Sequence, residues 1–64
     1  MKKLTPAQIE VVKRKALGET DTEAAKSLHI SPIAVKRRRE RALYDLGAKN
    51  IAHAVYIAVG AGII

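Results

Sequence analysis

Four short stretches of this 64-residue chain carry helix-start chemistry, and they divide it before any long-range contact is considered. Thr5-Pro6-Ala7-Gln8 places a hydroxyl at a cap position, proline at the first helical position and glutamine three residues after the cap. That is a capping box, and Leu4 and Ile9 stand where a hydrophobic staple would hold it. Thr20-Asp21-Thr22-Glu23 repeats the box. Ser31-Pro32 repeats the cap and the proline, with Ile30 and Val35 as the staple. Asn50 can cap a last helix. Stops alternate with these starts. Gly18, Gly47 and the Gly60/Gly62 pair follow the apolar-periodic segments. The spacing predicts helices from Pro6 to about Leu17, Asp21 to about Leu28, Pro32 to about Leu46 and Ile51 to about Val59. No strand pattern competes, and the loops are short, so consecutive helices must fold back on one another. The expected class is all-α, a single domain over 1–64.

A chain this short buries only ~60% of the surface its unfolded form exposes, so a lone core is marginal. The sequence has no cysteine, which removes disulfides. His29 and His53 stand apart without the ligand spacing a metal needs, and no cofactor site is expected. A partner subunit is the remaining support. Apolar residues make up 48% of the chain and charged residues 28%, a balance that suits a folded globule. The formal net charge of +6 favours an acidic partner: nucleic acid, an anionic membrane or an acidic protein. Lys2 and Lys3 have no apolar run behind them, so no signal peptide is read. Residues 51–64 carry no charge, but glycines interrupt them and they fall short of the ~20 residues a bilayer requires. A cytoplasmic protein with no membrane partner is expected. No nucleophile–base pair and no glycine-rich phosphate loop point to an enzyme.

Residues 35–41, Val-Lys-Arg-Arg-Arg-Glu-Arg, are the densest charge in the chain. A cap precedes them and spaced leucines follow, so they belong to a helix rather than a solvated tail. On that helix Val35, Ala42, Leu43 and Leu46 share the stripe expected to face the core. Ile33, Arg37, Glu40, Arg41 and Tyr44 share the opposite stripe, flanked by Lys36, Arg38 and Arg39. A solvated helix ordinarily mixes signs at i,i+4 spacing, each pair worth ~0.2–0.5 kcal/mol. Here five cations meet one acid, a repulsion that a phosphate backbone relieves. The second helix, a three-residue turn and this longer helix make a helix-turn-helix over about 21–46.

These residues resemble the LuxR-type, also called GerE-type, helix-turn-helix domain. Leu4, Thr5, Glu10 and Val11 match the opening L-T-x-x-E-x-E-V-L, with Val12 in place of its leucine. Gly18, Thr20, Glu23, Ala25, Leu28, Ile30 and Ser31 match G-x-[ST]-[NK]-x-E-I-A-x-x-L-x-I-S. Val35, Lys36, Leu46 and Gly47 match T-V-K-x-H-x-x-x-I-x-x-K-L-G, and Ala54-Val55 and Ala58 match A-V-x-x-A. Gln8 stands in place of the family's first Glu, Ala24 of its Ile, His29 of its turn Gly, Arg38 of its His, Ala42 of its Ile and Asp45 of its Lys. Sigma-factor region four is a related helix-turn-helix whose basic rhythm into Arg41-Ala42-Leu43 fits nearly as well.

The resemblance implies four helices with the third in the DNA major groove, transcription regulation, and dimerisation through the last helix. It begins at Leu4, so a stand-alone domain without a receiver or sensor part is expected. The expected reading is a sequence-specific regulator acting as a small homodimer. The alternative is an adaptor that docks on RNA polymerase or another regulator. Lys36, Arg37, Glu40 and Arg41 are the expected base contacts, because Arg and Lys suit guanine O6 and N7 and Glu can accept from cytosine N4. Glu40 could instead serve as a charge partner of Lys36. Thr20, Thr22 and Ser31 at helix starts, with Lys26, Arg38 and Arg39, are the expected phosphate contacts. Ala54, Val55, Ala58 and Ile51 are expected to pack inward. Ala52, Tyr56 and Val59, bordered by His53 and Ile57 and continuing to Ile63, are expected to form the dimer face. The competing arrangement folds the tail back onto its own subunit.

Overall fold

A computed structural model of the protein describes residues 3–64. It contains four helices and no strand among those residues: α1 Pro6–Ala16, α2 Asp21–Leu28, α3 Pro32–Leu46 and α4 Ile51–Gly60. Each starts on the cap expected of it. The Thr5 amide donates to Gln8 Oε1 at 2.7 Å while the Gln8 amide donates to Thr5 Oγ1 at 3.2 Å. Thr20 and Glu23 exchange the same pair at 2.8 and 3.2 Å. Ser31 Oγ accepts from the Ala34 amide at 3.1 Å. Asn50 Oδ1 accepts from the His53 amide at 2.8 Å, and His53 Nδ1 accepts from the Lys49 amide at 3.1 Å. Each of these bonds supplies a partner to an amide that the helix itself leaves unpaired.

All four helices end in the same reversal. Amide-to-carbonyl bonds run from Glu19 to Arg14 (3.2 Å), Ile30 to Ala25 (3.0 Å), Ala48 to Leu43 (2.9 Å) and Ile63 to Ala58 (2.8 Å). Between each pair lies one residue in the left-handed region: Gly18, His29, Gly47 or Gly62. This is the Schellman pattern. His29 does it without glycine at φ 57°, a conformation histidine tolerates better than most side chains. Two helix ends move slightly from expectation. α1 stops at Ala16, with Leu17 as its cap. α4 runs through Gly60 because its reversal is made at Gly62, where φ is 72°.

Two apolar clusters meet across α1. Val12 packs with Leu4, Ala42, Leu46, Ala54 and Ala58, tying α1 to α3 and α4. Its neighbour Val11 packs with Ala24, Ala25 and Val35, tying α1 to α2 and α3. Successive helix residues point about 100° apart, so one helix serves as a wedge between two clusters. The staple residues share clusters: Leu4 belongs to the first with Ile9 packed against it, and Val35 to the second with Ile30 packed against it. Five of the ten buried apolar residues among those described are alanines, which lets helices approach closely where larger side chains would hold them apart. No helix among the described residues is long and apolar enough to cross a membrane.

Gln8 is a buried polar residue, and its Nε2 donates to Asp45 Oδ2 at 3.0 Å. Two departures from the family pattern, Gln for Glu and Asp for Lys, therefore touch each other. Placing Glu at position 8 while Asp45 remains would set two carboxylates about one hydrogen bond apart. We expect Gln8→Glu to destabilise the fold by about 1–3 kcal/mol, the range for a disrupted buried polar contact. The paired Q8E/D45K protein should recover most of that loss in urea denaturation. Equal stability of Gln8→Glu and wild type would show that the Gln8–Asp45 contact contributes nothing.

Candidate nucleic-acid interface

The inward stripe of α3 is anchored as its periodicity requires. Val35, Ala42 and Leu46 are buried and Leu43 is half-buried. The opposite face of the helix consequently projects into solvent. Lys36, Arg37, Glu40 and Arg41, the expected base contacts, are all exposed. Among the described residues, Lys36, Arg37 and Glu40 enter no ion pair, so Glu40 is not spent as a salt-bridge partner of Lys36. Arg41 is held more firmly. Its Nε lies 3.4 Å from Asp45 Oδ1 and its guanidinium carbon 5.5 Å from the centre of the Tyr44 ring.

The flanking arginines diverge. Arg38 leans towards the start of α1 and lines an open groove with Thr5, Ala7, Gln8, Arg37, Arg41 and Asp45. Arg39 leans the other way, and its guanidinium bonds Asp21 Oδ2 at 3.0 Å. Lys15 Nζ reaches Asp21 Oδ1 at 3.3 Å. One carboxylate at the start of α2 thus joins α1, α2 and α3. The reading of Arg39 as a phosphate contact meets a competing partner, since its side chain is half-buried and already paired. The other expected phosphate contacts are all exposed, Thr20, Thr22 and Ser31 at helix starts and Lys26 in the last turn of α2. Thr20 and Ser31 are engaged as caps through their hydroxyl oxygens. The Thr20 amide and hydroxyl hold the Glu23 carboxyl below the usual range.

On α4, Ala54 and Ala58 are buried and Ile51 and Val55 pack against the same cluster, as expected. Ala52, Tyr56 and Val59 are exposed, with Tyr56 at 79% and Val59 at 59%. His53 and Ile57 border them, half-buried, and Ile57 packs in part against the first cluster of its own chain. Ile63 does not extend this face. The turn at Gly62 folds it back so that Ile63 and Ile64 pack against the first cluster. The expected continuation of the apolar face to Ile63 is therefore replaced by intrachain packing, because the helix reverses before reaching it.

Sequence reasoning passed over Asp21 as a partner of the basic run. Its placement in the first turn of α2 was visible, but locally it reads as favourable acid near a helix start. Burial raises the Asp21 pKa, and the hydrogen bonds and charges of Lys15 and Arg39 outweigh that and lower it. A carboxyl whose folded pKa lies below its unfolded one stabilises the fold fully above the unfolded value. That contribution is lost as pH falls through the folded value. The stability difference between wild type and Asp21→Asn should be widest at neutral pH and should close as pH drops below about 4. Denaturant melts across that range measure it, and a difference independent of pH would remove the charge from the account.

The sequence matches the family model described as bacterial regulatory proteins, luxR family, over residues 2–58. No curated protein and no solved structure matches the chain closely enough to serve as a relative. The matched span takes in all of the helix-turn-helix, with both cap boxes and the exposed cationic stripe. The chain belongs to the luxR family of bacterial regulatory proteins, and its four helices form that family's DNA-binding helix-turn-helix.

Proposed function

We propose that the protein is a sequence-specific transcriptional regulator that acts as a homodimer, each copy placing α3 in the major groove of double-stranded DNA. One observation carries this reading. Lys36 and Arg37, which enter no ion pair among the described residues, stand with Arg41 on the solvent face of a helix whose other face is fixed to the core. Lys36, Arg37, Glu40 and Arg41 are the base-reading set. Lys26, Arg38, Thr20, Thr22 and Ser31 position the helix on phosphates, while Arg39 chiefly holds α3 against α2 through Asp21.

Replacing Arg37 by Ala should cost about 1–3 kcal/mol on the preferred site and relax one base preference. Replacing Arg38 by Ala should weaken all sequences alike and flatten the dependence of log affinity on log salt by about one unit. Binding titrations over a salt series, on a site selected from random duplex, measure both. Shallow binding that ignores sequence would favour the adaptor reading, with a protein partner in place of DNA.

The dimer rests on geometry and on α4. The longest dimension of one copy is 27 Å, less than the ~34 Å between successive major-groove faces. One copy therefore addresses one half-site. Ala52, His53, Tyr56, Ile57 and Val59 offer an apolar face that a two-fold copy would cover. Tyr56→Glu should give a folded monomer whose affinity for a two-half-site duplex falls about 10²-fold or more, because the second half-site is no longer coupled to the first. Sedimentation showing wild type monomeric at tens of micromolar, with DNA affinity untouched by that substitution, would rule the dimer out.

A further inference from the structure

Ile33 lies in the first turn of α3 with 63% of its surface exposed. The fold does not use it. The staple across this cap is Ile30 with Val35, and the clusters beneath α3 are complete without Ile33. Helix propensity does not call for it either, since a β-branched residue is a poorer helix former than the lysines and arginines that follow. Water disfavours it. The remaining exposed large apolar side chains have other settings. Tyr44 stands near Arg41, Tyr56 and Val59 lie on α4, and Leu17 closes α1. Among the described residues, Ile33 is the one exposed large aliphatic side chain on α3.

Its neighbours state what covers it. Lys36 and Arg37, at i+3 and i+4, lie beside it on the same face, and both are exposed. A groove that receives those cations receives Ile33 with them. Phosphate offers nothing to a branched aliphatic group, and the deoxyribose carbons are the same at every base, so contact with them carries no sequence preference. The edges of bases in the major groove offer one apolar group, the C5-methyl of thymine. We propose that Ile33 is a specificity-determining residue that packs on a thymine C5-methyl beside the bases read by Lys36 and Arg37. This rests on the reading of α3 as the groove-bound helix.

Uracil tests it, because it keeps every polar atom of thymine's edge and lacks the methyl. On a duplex selected from a random pool, each thymine is replaced in turn by deoxyuridine and affinity is measured. One thymine in each half-site should lose about fourfold, the worth of one buried methyl-sized group. Ile33→Ala should bind the thymine and uracil duplexes equally, with the wild-type melting temperature and salt slope, and Ile33→Val should keep part of the preference. A selected site without thymine, uracil tolerated at every position, or a methyl preference undiminished in Ile33→Ala would each overturn the assignment while leaving sequence-specific binding intact. A protein that selects no sequence from the pool would overturn both.

Discussion

The arrangement of this small fold depends on α1 lying between two clusters through adjacent valines. Val11 and Val12 are both fully buried, each against a different set of partners. Because they point about 100° apart, α1 sets the angle between the α2–α3 pair on one side and the α3–α4 pair on the other. α3 contributes to both clusters, Val35 to one and Ala42 and Leu46 to the other. A helix gripped along its whole inner face cannot rotate. The outward stripe is therefore fixed as firmly as the inward one.

Charge is distributed around that grip unevenly. The run at 36–41 looks uniform in the sequence, yet its members do different work in space. Arg39 is drawn to Asp21, Arg41 is steadied by Asp45 and Tyr44, and Arg38 lies over the start of α1. Lys36 and Arg37 have no ion pair among the described residues. The acids that engage the run sit at its edges, which leaves the middle of the solvent face cationic. Uncompensated cations repel one another in the free protein, and a polyanion relieves that repulsion on binding.

Small size shapes the other end of the molecule. With a core of valines, alanines and leucines and no phenylalanine or tryptophan, every apolar side chain matters. The turn at Gly62 adds Ile63 and Ile64 to the first cluster. Those residues support their own subunit, and the exposed part of α4 is shortened to the stripe around Tyr56 and Val59. A partner copy covering that stripe would supply burial that so short a chain cannot make alone.

Helix number, starts and ends were legible in the sequence because caps and Schellman turns are made between residues three to five apart. Thr5, Thr20, Ser31 and Asn50 needed no tertiary contact to be recognised, nor did the apolar spacing of Val35, Ala42 and Leu46. The pairing of side chains was not legible. Arg38 and Arg39 are indistinguishable by local chemistry, and only the crossing of α3 with α2 gives one of them a carboxylate 18 positions away. Gln8 and Asp45 read as two unrelated departures from the family pattern until the fold places them 3.0 Å apart. Ile63 kept its place on an extended helix in the sequence view because two reversals, at Gly60 or at Gly62, fit the same glycines. Local hydrogen bonds determine where a helix stands along the chain. Which residue of a charged run meets which partner depends on the angle between packed helices, and that is decided only when the core closes.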